Sequence, residues 1–188
     1  MATYSLAQAT KAIHLSPFPV FSSHSLSQTL GILDRRSLFL VIKRLIDQGI
    51  LEKLERNVYV PQGRTPMTFQ VANYLYSPSY VSFETALNYH GILSQFPYEM
   101  TNATSKKTIS KVVDERVFSY THIKKDLYWG YEKTSEGFLL ATPEKALLDQ
   151  AYLHTKGLKG LSLDEYDMSR INKSKLKAMS KYFPKLPL

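Results

Sequence analysis

The 188-residue chain contains no cysteine, and no run of apolar residues is long enough to cross a bilayer. The missing cysteine excludes a disulfide framework, a thiolate zinc site, an iron–sulfur cluster and a cysteine nucleophile. A spanning helix needs about 20 mostly apolar residues, so we expect no membrane partner. The first residues also lack the basic start and apolar core of a secretory signal. We therefore predict a cytoplasmic protein.

Motifs that carry common catalytic chemistry are also missing. The chain has no glycine loop for phosphates and no Gly-x-Ser-x-Gly turn, and its five histidines lack metal-ligand spacing. We predict no enzyme activity, no metal and no cofactor. An enzyme acting on nucleic acid is an alternative, but it would need clustered carboxylates for magnesium. The nearest candidates are Asp114, Glu115 and Glu144.

The net charge of +8 is unevenly distributed along the chain. Residues 1–66 carry a balance of +4, residues 67–155 a balance of −1, and residues 156–188 a balance of +5. A basic surface favours polyanionic partners, because each phosphate contact releases condensed counterions. The two ends of the chain are therefore basic and the middle is close to neutral, but charge alone does not identify a nucleic-acid partner.

The first 60 residues predict three helices followed by a β-hairpin. The predicted helices cover residues 4–14 and 26–30, and Gly31 ends the second one. A third helix is capped by Asp34 and runs to about Gln48. Two strands, 50–54 and 58–60, are joined by a tight turn. The apolar positions of the third helix are spaced three and four apart: Leu38, Val41, Ile42, Leu45 and Ile46.

The predicted elements follow the order of a winged helix-turn-helix. A short helix is followed by a glycine turn, a long helix with a basic face and a hairpin. The segment from Leu30 to Val60 resembles that family, in Leu30-Gly31, Lys43-Arg44-Leu45, Gly49-Ile50-Leu51 and Val58-Tyr59-Val60. In such domains the N-terminal half of the recognition helix reaches base edges in the major groove. Residues further along that helix, on the supporting helix and at the wing tip contact phosphates. The predicted DNA-binding residues are Ser25, Ser27, Gln28, Arg35, Arg36, Ser37, Lys43, Arg44 and Arg56. Winged helices also serve as protein-interaction modules, which is the alternative.

Two prolines and a glycine between residues 61 and 66 predict a linker. We therefore predict a DNA-binding domain at 1–62 and a second domain at 67–188. The second domain is expected to mix helices at 68–76, 82–90, 142–153 and 169–183 with strands at 98–104, 116–123, 128–133 and 137–141. The expected fold class is α+β, with a mixed α/β C-terminal domain that holds a small antiparallel sheet.

Two sequence segments in the second half of the chain resemble the C-terminal domain of the AbiE-type antitoxins of abortive-infection systems. They are YVSFETALNYHGIL at 80–93 and ATPEKALLD at 141–149. The resemblance implies membership of a type IV toxin–antitoxin family that takes part in phage defence. It implies a repressor that binds inverted repeats in the promoter of its own operon. It also implies that the C-terminal domain neutralises a toxin that resembles a nucleotidyltransferase.

Charged residues of the second half are candidates for the surface that acts on the toxin. Glu144 and Lys145 begin a predicted helix, with Asp149 one turn further on, and Lys106-Lys107 follow a predicted strand. The predicted antitoxin surface is Lys106, Lys107, Glu144, Lys145 and Asp149. The alternatives are a solvated lysine loop and, for Glu144, an acid that complements the positive end of the helix dipole.

Overall fold

The structure is a computed structural model that describes residues 5–188. The predicted start of the first helix at Tyr4 lies outside the described residues. The chain divides into two compact units, Met1–Leu75 and Tyr76–Leu188. This division places the helix Thr68–Leu75 in the first unit, whereas the proline-containing segment predicts a boundary before that helix. No helix within residues 5–188 is both long and apolar enough to span a bilayer.

The N-terminal unit contains helices packed with one β-hairpin around a common core. Its core side chains come from the first three helices, from the hairpin and from Phe21, which precedes the second helix. Phe21 pairs with Tyr59 through two backbone hydrogen bonds of 2.8 and 2.9 Å. The elements are α1 (Leu6–Leu15), α2 (Ser23–Leu30), α3 (Arg35–Asp47), β1 (Leu51–Glu55), β2 (Val58–Pro61) and α4 (Thr68–Leu75).

The C-terminal unit is built on a six-stranded mixed sheet with the order β5-β6-β4-β3-β8-β7. The pairs β4/β6 and β3/β8 are parallel, and the other pairs are antiparallel. The strands are β3 (Ser79–Val81), β4 (Met100–Thr104), β5 (Ile109–Val113), β6 (Arg116–His122), β7 (Tyr131–Lys133) and β8 (Leu139–Ala141). The α+β class is confirmed. The sheet of this unit is larger than the sequence predicts, because two parallel pairs join its antiparallel pairs into one.

Three helices accompany this sheet: α5 (Phe83–Tyr89), α6 (Pro143–His154) and α7 (Lys173–Ser180). Helix α6 is buried along almost its whole length and contacts α5, α7 and β8. The predicted helix at 169–183 is shorter in the structure, because the side chain of Asn172 caps a new helix by accepting from the backbone N–H of Lys175 at 3.0 Å. A short 3-10 turn, Met168–Arg170, precedes it.

Candidate nucleic-acid interface

Helix α3 begins where local chemistry predicts. The carboxylate of Asp34 accepts a hydrogen bond from the backbone N–H of Ser37 at 2.7 Å, which satisfies one of the free donors at the helix start. Hydrogen bonds from the side chain and backbone of Ser37 hold the pKa of Asp34 below its ordinary value. The preceding helix α2 ends at Gly31, whose φ of +66° lies in the left-handed region that glycine adopts without a steric penalty. A short loop therefore separates the two helices.

The apolar side of α3 faces the core and leaves its cations exposed. Leu38, Ile42 and Leu45 are buried in the N-terminal unit. At about 100° per residue, Arg36 and Lys43 lie on the opposite side of the helix. Every predicted DNA-binding residue of this helix is exposed to solvent: Arg35, Arg36, Ser37, Lys43 and Arg44. The helix therefore exposes two cations in its first turn and two more near its C-terminal end, with none between Ser37 and Ile42.

Not every side chain on the exposed side of α3 is polar. The guanidinium of Arg35 lies 5.7 Å from the ring centroid of Phe39, a cation–π distance. Phe39 is 42% exposed and Leu40 is 56% exposed. Leu33, in the loop before the helix, is 94% exposed. Apolar side chains are thus interleaved with the cations, as in surfaces that contact thymine methyl groups or proteins.

Two predicted phosphate contacts on α2 have structural roles instead. Ser25 is buried and forms a reciprocal cap with Ser22: the N–H of Ser25 donates to Ser22 Oγ at 3.1 Å, and the N–H of Ser22 donates to Ser25 Oγ at 2.9 Å. The hydroxyl of Ser27 donates to the carbonyl of Ile32 at 2.6 Å and closes the turn. The hydroxyls of Ser25 and Ser27 are therefore engaged inside the unit, which contradicts the phosphate contacts predicted for them. Gln28 is exposed, as its predicted role requires.

The tip of the hairpin β1–β2 is joined to the start of α2. Asn57, at the tip, has φ +66° and accepts a hydrogen bond from the backbone N–H of Ser23 at 2.8 Å. Arg56, beside it, is exposed. The hairpin is thus held against the helical part of the same unit, with one cation at its tip. The sequence alone did not indicate this role of Asn57, although an asparagine in a tight turn is a common signal.

Arg64 is a second residue whose role the sequence did not reveal. It lies in the predicted linker, yet its guanidinium donates to the carbonyls of His14 at 2.8 Å and of Ser16 and Phe18 at 3.2 Å. These carbonyls lie at and just beyond the end of α1, where backbone acceptors lack helical partners. Arg64 therefore attaches the predicted linker to the end of α1, and this part of the segment is not a free linker.

The predicted antitoxin surface is wrong for three of its five residues. Glu144, Lys145 and Asp149 are 3%, 0% and 0% exposed. Lys106 and Lys107 are exposed, on the loop after β4. The acids and the base of α6 are buried because this helix packs on several sides at once. A helix with apolar residues all round is a signal for such burial, and α6 has Ala146-Leu-Leu and Ala151-Tyr-Leu on either side of Asp149 and Gln150.

The buried charges of α6 form a network with β3 and the residue that follows it. The ammonium of Lys145 pairs with the carboxylate of Asp149 and donates to the hydroxyl of Tyr80 at 3.0 Å. Asp149 also accepts from Tyr80 at 2.9 Å and from the hydroxyl of Ser82 at 2.8 Å. Burial raises the pKa of Asp149 and of Tyr80, and it lowers the pKa of Lys145. The network satisfies groups that would otherwise be costly to bury.

Aromatic rings enclose the ammonium group of Lys145. Its nitrogen lies 5.5 Å from the ring centroid of Tyr80, 5.7 Å from that of Trp129 and 5.2 Å from that of Phe183. These cation–π contacts offset part of the desolvation of the ammonium. They join α6 to β3, to the segment before β7 and to the segment after α7.

Gly130 permits the close packing around Lys145. A Cβ at this position would lie 3.0 Å from Lys145 Cδ and 3.1 Å from Met179 Cε, and the φ of Gly130 is +77°.

We predict that Gly130→Ala lowers the free energy of unfolding of the C-terminal unit by at least about 1–2 kcal/mol, the cost of a left-handed conformation without glycine. Urea unfolding measures the change. Gly137→Ala, with φ +90° but no atom within 4 Å of the added Cβ, is the control that separates crowding from backbone strain. An equal loss in both variants would contradict a role for close packing.

Glu144 links the start of α6 to the start of α7. Its carboxylate accepts from the backbone N–H of Asn172 at 3.1 Å and pairs with the ammonium of Lys175 at 3.2 Å. Burial by itself raises the pKa of Glu144, but the hydrogen bonds from backbone N–H groups and from Lys175 outweigh it and leave the pKa below its ordinary value. Glu144 is therefore an internal connector between two helices.

No protein-family model matches this sequence, and no curated protein matches it.

Proposed function

We propose that this chain is a cytoplasmic DNA-binding repressor of its own operon that also acts as the antitoxin of an AbiE-type abortive-infection system. In this proposal the N-terminal unit is a winged helix-turn-helix that binds inverted repeats in promoter DNA. The C-terminal unit neutralises a toxin that resembles a nucleotidyltransferase. The chain itself is not an enzyme.

The exposed basic face of α3 is the observation that carries the DNA-binding part. An α-helix fits the major groove, and a helix can enter it only if its cations are free of the protein core. Arg35 and Arg36 lie at the N-terminal end, where recognition helices contact bases. Lys43 and Arg44, further along, are exposed as well. The other side of the helix is buried in the core of the unit.

The position of the hairpin gives this assignment further support. It follows α3 directly, pairs with Phe21 through Tyr59 and carries Arg56 at its tip. A cation at such a tip can follow the DNA backbone or enter the minor groove. The unit has a short helix, a glycine turn, a longer helix with exposed cations and then a hairpin, which is the order that the winged-helix resemblance implies.

The antitoxin part of the proposal is supported by the contact between the two segments that resemble AbiE-type antitoxins. Tyr80 and Ser82 belong to the first segment, and Lys145 and Asp149 belong to the second. These four side chains form the buried network of the C-terminal unit. The two segments are therefore parts of one structural core, which gives a physical reason for their occurrence together in one sequence.

A promoter-binding assay tests the repressor function. The full chain is titrated with a duplex that covers the promoter of its own operon and with a duplex of the same composition but scrambled sequence. We expect the promoter duplex to bind at least about 10³-fold more tightly at physiological salt, the lower end for specific DNA-binding proteins. Equal affinity for the two duplexes would contradict sequence-specific repression.

Co-expression with the toxin encoded beside this chain tests the antitoxin function. We expect the full chain to restore growth, and we expect Arg36→Ala/Lys43→Ala to restore it as well, because these residues serve only DNA binding. Asp149→Ala should fail to restore growth, since it disrupts the core of the C-terminal unit. A neighbouring gene product that the full chain does not neutralise would contradict this part of the proposal.

A protein-binding adaptor is the second candidate, and one observation favours it. Leu33, Phe39 and Leu40 expose apolar surface in and before α3, and such patches often mark protein contacts. If the basic face of α3 binds a protein, the promoter duplex should give no shift in a gel assay at any protein concentration below aggregation.

A further inference from the structure

An open cavity of about 660 Å³ lies on the C-terminal unit, apart from the buried network. It is formed where the first residue of the unit, the loop after β4 and the end of β6 come together. Among the described residues its lining carries three basic side chains and two aliphatic hydroxyls but no carboxylate: Tyr76, Ser105, Lys106, Lys107, Thr108 and His122. This composition suits an anion with several oxygen acceptors.

One of the two lysines that line the cavity, Lys106, is held in place before any ligand arrives. The ammonium of Lys106 donates to the carbonyl of Ser77 and lies 5.3 Å from the ring centroid of Tyr76. The ammonium of Lys111 lies 6.0 Å from the same ring. The hydroxyl of Tyr76 in turn donates to the carbonyl of Lys107 at 3.1 Å. Tyr76 therefore contacts the loop at the Lys106 ammonium and at the Lys107 backbone, which reduces the ordering cost of binding.

The other edge of the cavity is organised through His122. Its backbone N–H donates to Thr108 Oγ1 at 3.0 Å, which leaves the hydroxyl proton of Thr108 for another acceptor. Its Nδ1 lies 2.9 Å from the carbonyl of Lys106. Because a carbonyl only accepts, Nδ1 is the protonated nitrogen in this contact. The threonine hydroxyl and the lysine ammonium groups thus supply hydrogen-bond donors to the same cavity.

We infer that this pocket binds the phosphate groups of a small phosphorylated molecule, such as a phosphate monoester or a diphosphate. Phosphate oxygens match a set of ammonium and hydroxyl donors without carboxylates. The ring of Tyr76 is already covered by Lys106 and by Tyr120, whose ring centroid is 5.2 Å away. Recognition therefore rests on the phosphate and not on a base stacked against this tyrosine. The site goes beyond the proposed DNA contact, because it uses no residue of α3.

Isothermal titration of the full chain with pyrophosphate tests the inference. We expect saturable binding to one site, and we expect Lys106→Gln/Lys107→Gln to weaken it by at least about tenfold, the effect of losing one charge-assisted hydrogen bond. Lys124→Gln/Lys125→Gln is the matched control: it removes two exposed lysines of the same unit that do not line the cavity. This control should change the affinity by less than about twofold. No saturable binding, or equal losses in the two double variants, would overturn the inference.

Two further ligands identify the source of the phosphate. Adenosine triphosphate should compete with pyrophosphate if a free phosphorylated molecule is the ligand. If a single-stranded oligonucleotide binds at Lys106 and Lys107 while neither small molecule does, the inferred small-molecule site is wrong. Promoter affinity of the Lys106→Gln/Lys107→Gln variant is measured in parallel. It should match that of the unchanged chain, so a failure of the pocket remains distinct from a failure of DNA binding.

Discussion

Asp149→Ala is expected to lower the free energy of unfolding of the C-terminal unit by about 3–5 kcal/mol. The change leaves the ammonium of Lys145 buried without its counter-charge, and it removes the acceptor for the hydroxyls of Tyr80 and Ser82. Breaking one side of a buried ion pair is among the most destabilising single substitutions. Asp164→Ala, which removes an exposed carboxylate of the same unit, should change stability by less than about 0.5 kcal/mol.

The chain provides a local probe for this measurement. Trp129 is the single tryptophan, and its ring centroid lies 5.7 Å from the ammonium of Lys145. Its fluorescence during urea unfolding therefore reports on the C-terminal unit without a tryptophan signal from the N-terminal one. A midpoint for Asp149→Ala that equals the midpoint of the unchanged chain would contradict the buried pair.

The double variant Lys145→Met/Asp149→Ala separates pairing from packing. Removing both charges leaves no unpaired buried ion, so the double variant should be more stable than Asp149→Ala. The loss in the double variant should also be smaller than the sum of the losses in the two single variants, which is the mark of a direct interaction. Additive losses would show that each residue contributes only its own packing.

Arg36→Ala is expected to weaken binding of the promoter duplex by about 5- to 150-fold, equivalent to about 1–3 kcal/mol for one lost base contact. Arg36 lies near the start of α3, on the side away from the buried residues Leu38, Ile42 and Leu45. The loss should be confined to the promoter duplex, because a base contact carries sequence information. Affinity for the scrambled duplex should therefore fall much less. Equal losses for both duplexes would show that Arg36 contacts only phosphates.

Lys43→Ala should affect DNA binding differently from Arg36→Ala, because Lys43 lies about two turns further along α3. A phosphate contact contributes equally to all sequences, so affinity for both duplexes should fall together. Lys11→Ala is the matched control, an exposed lysine on α1 that belongs to no predicted contact. It should leave both affinities unchanged. A loss confined to the promoter duplex would contradict a phosphate contact at Lys43.

The parts of the fold that depend on neighbouring residues could be predicted from the sequence. Asp34 caps α3, Thr142 and Pro143 begin α6, and Gly31 ends α2, as local rules require. The exposed cations of α3 also follow from periodicity, since the buried side of this helix is defined by apolar residues three and four apart. These features involve contacts only a few residues apart in the sequence.

Features decided by distant contacts could not be predicted in the same way. Strand β5 is mostly exposed and lacks a clear alternation, and it is defined by its pairing with β6, for example Ile109 with Tyr120. Lys145 and Asp149 have the spacing of a surface ion pair on a helix, and only packing against other elements buries them. Ser25 is a polar residue on the predicted supporting helix, and its capping bond to Ser22, the residue before that helix, gives it a structural role that the sequence did not indicate.

The salt dependence of promoter binding tests the central claim most directly, that α3 presents its cations to a DNA duplex. The slope of log affinity against log salt concentration is measured for the unchanged chain, for Lys43→Ala and for Lys11→Ala. We expect a steep negative slope for the unchanged chain, a slope shallower by about one for Lys43→Ala, and no change for Lys11→Ala. The same slope in all three proteins would contradict the claim.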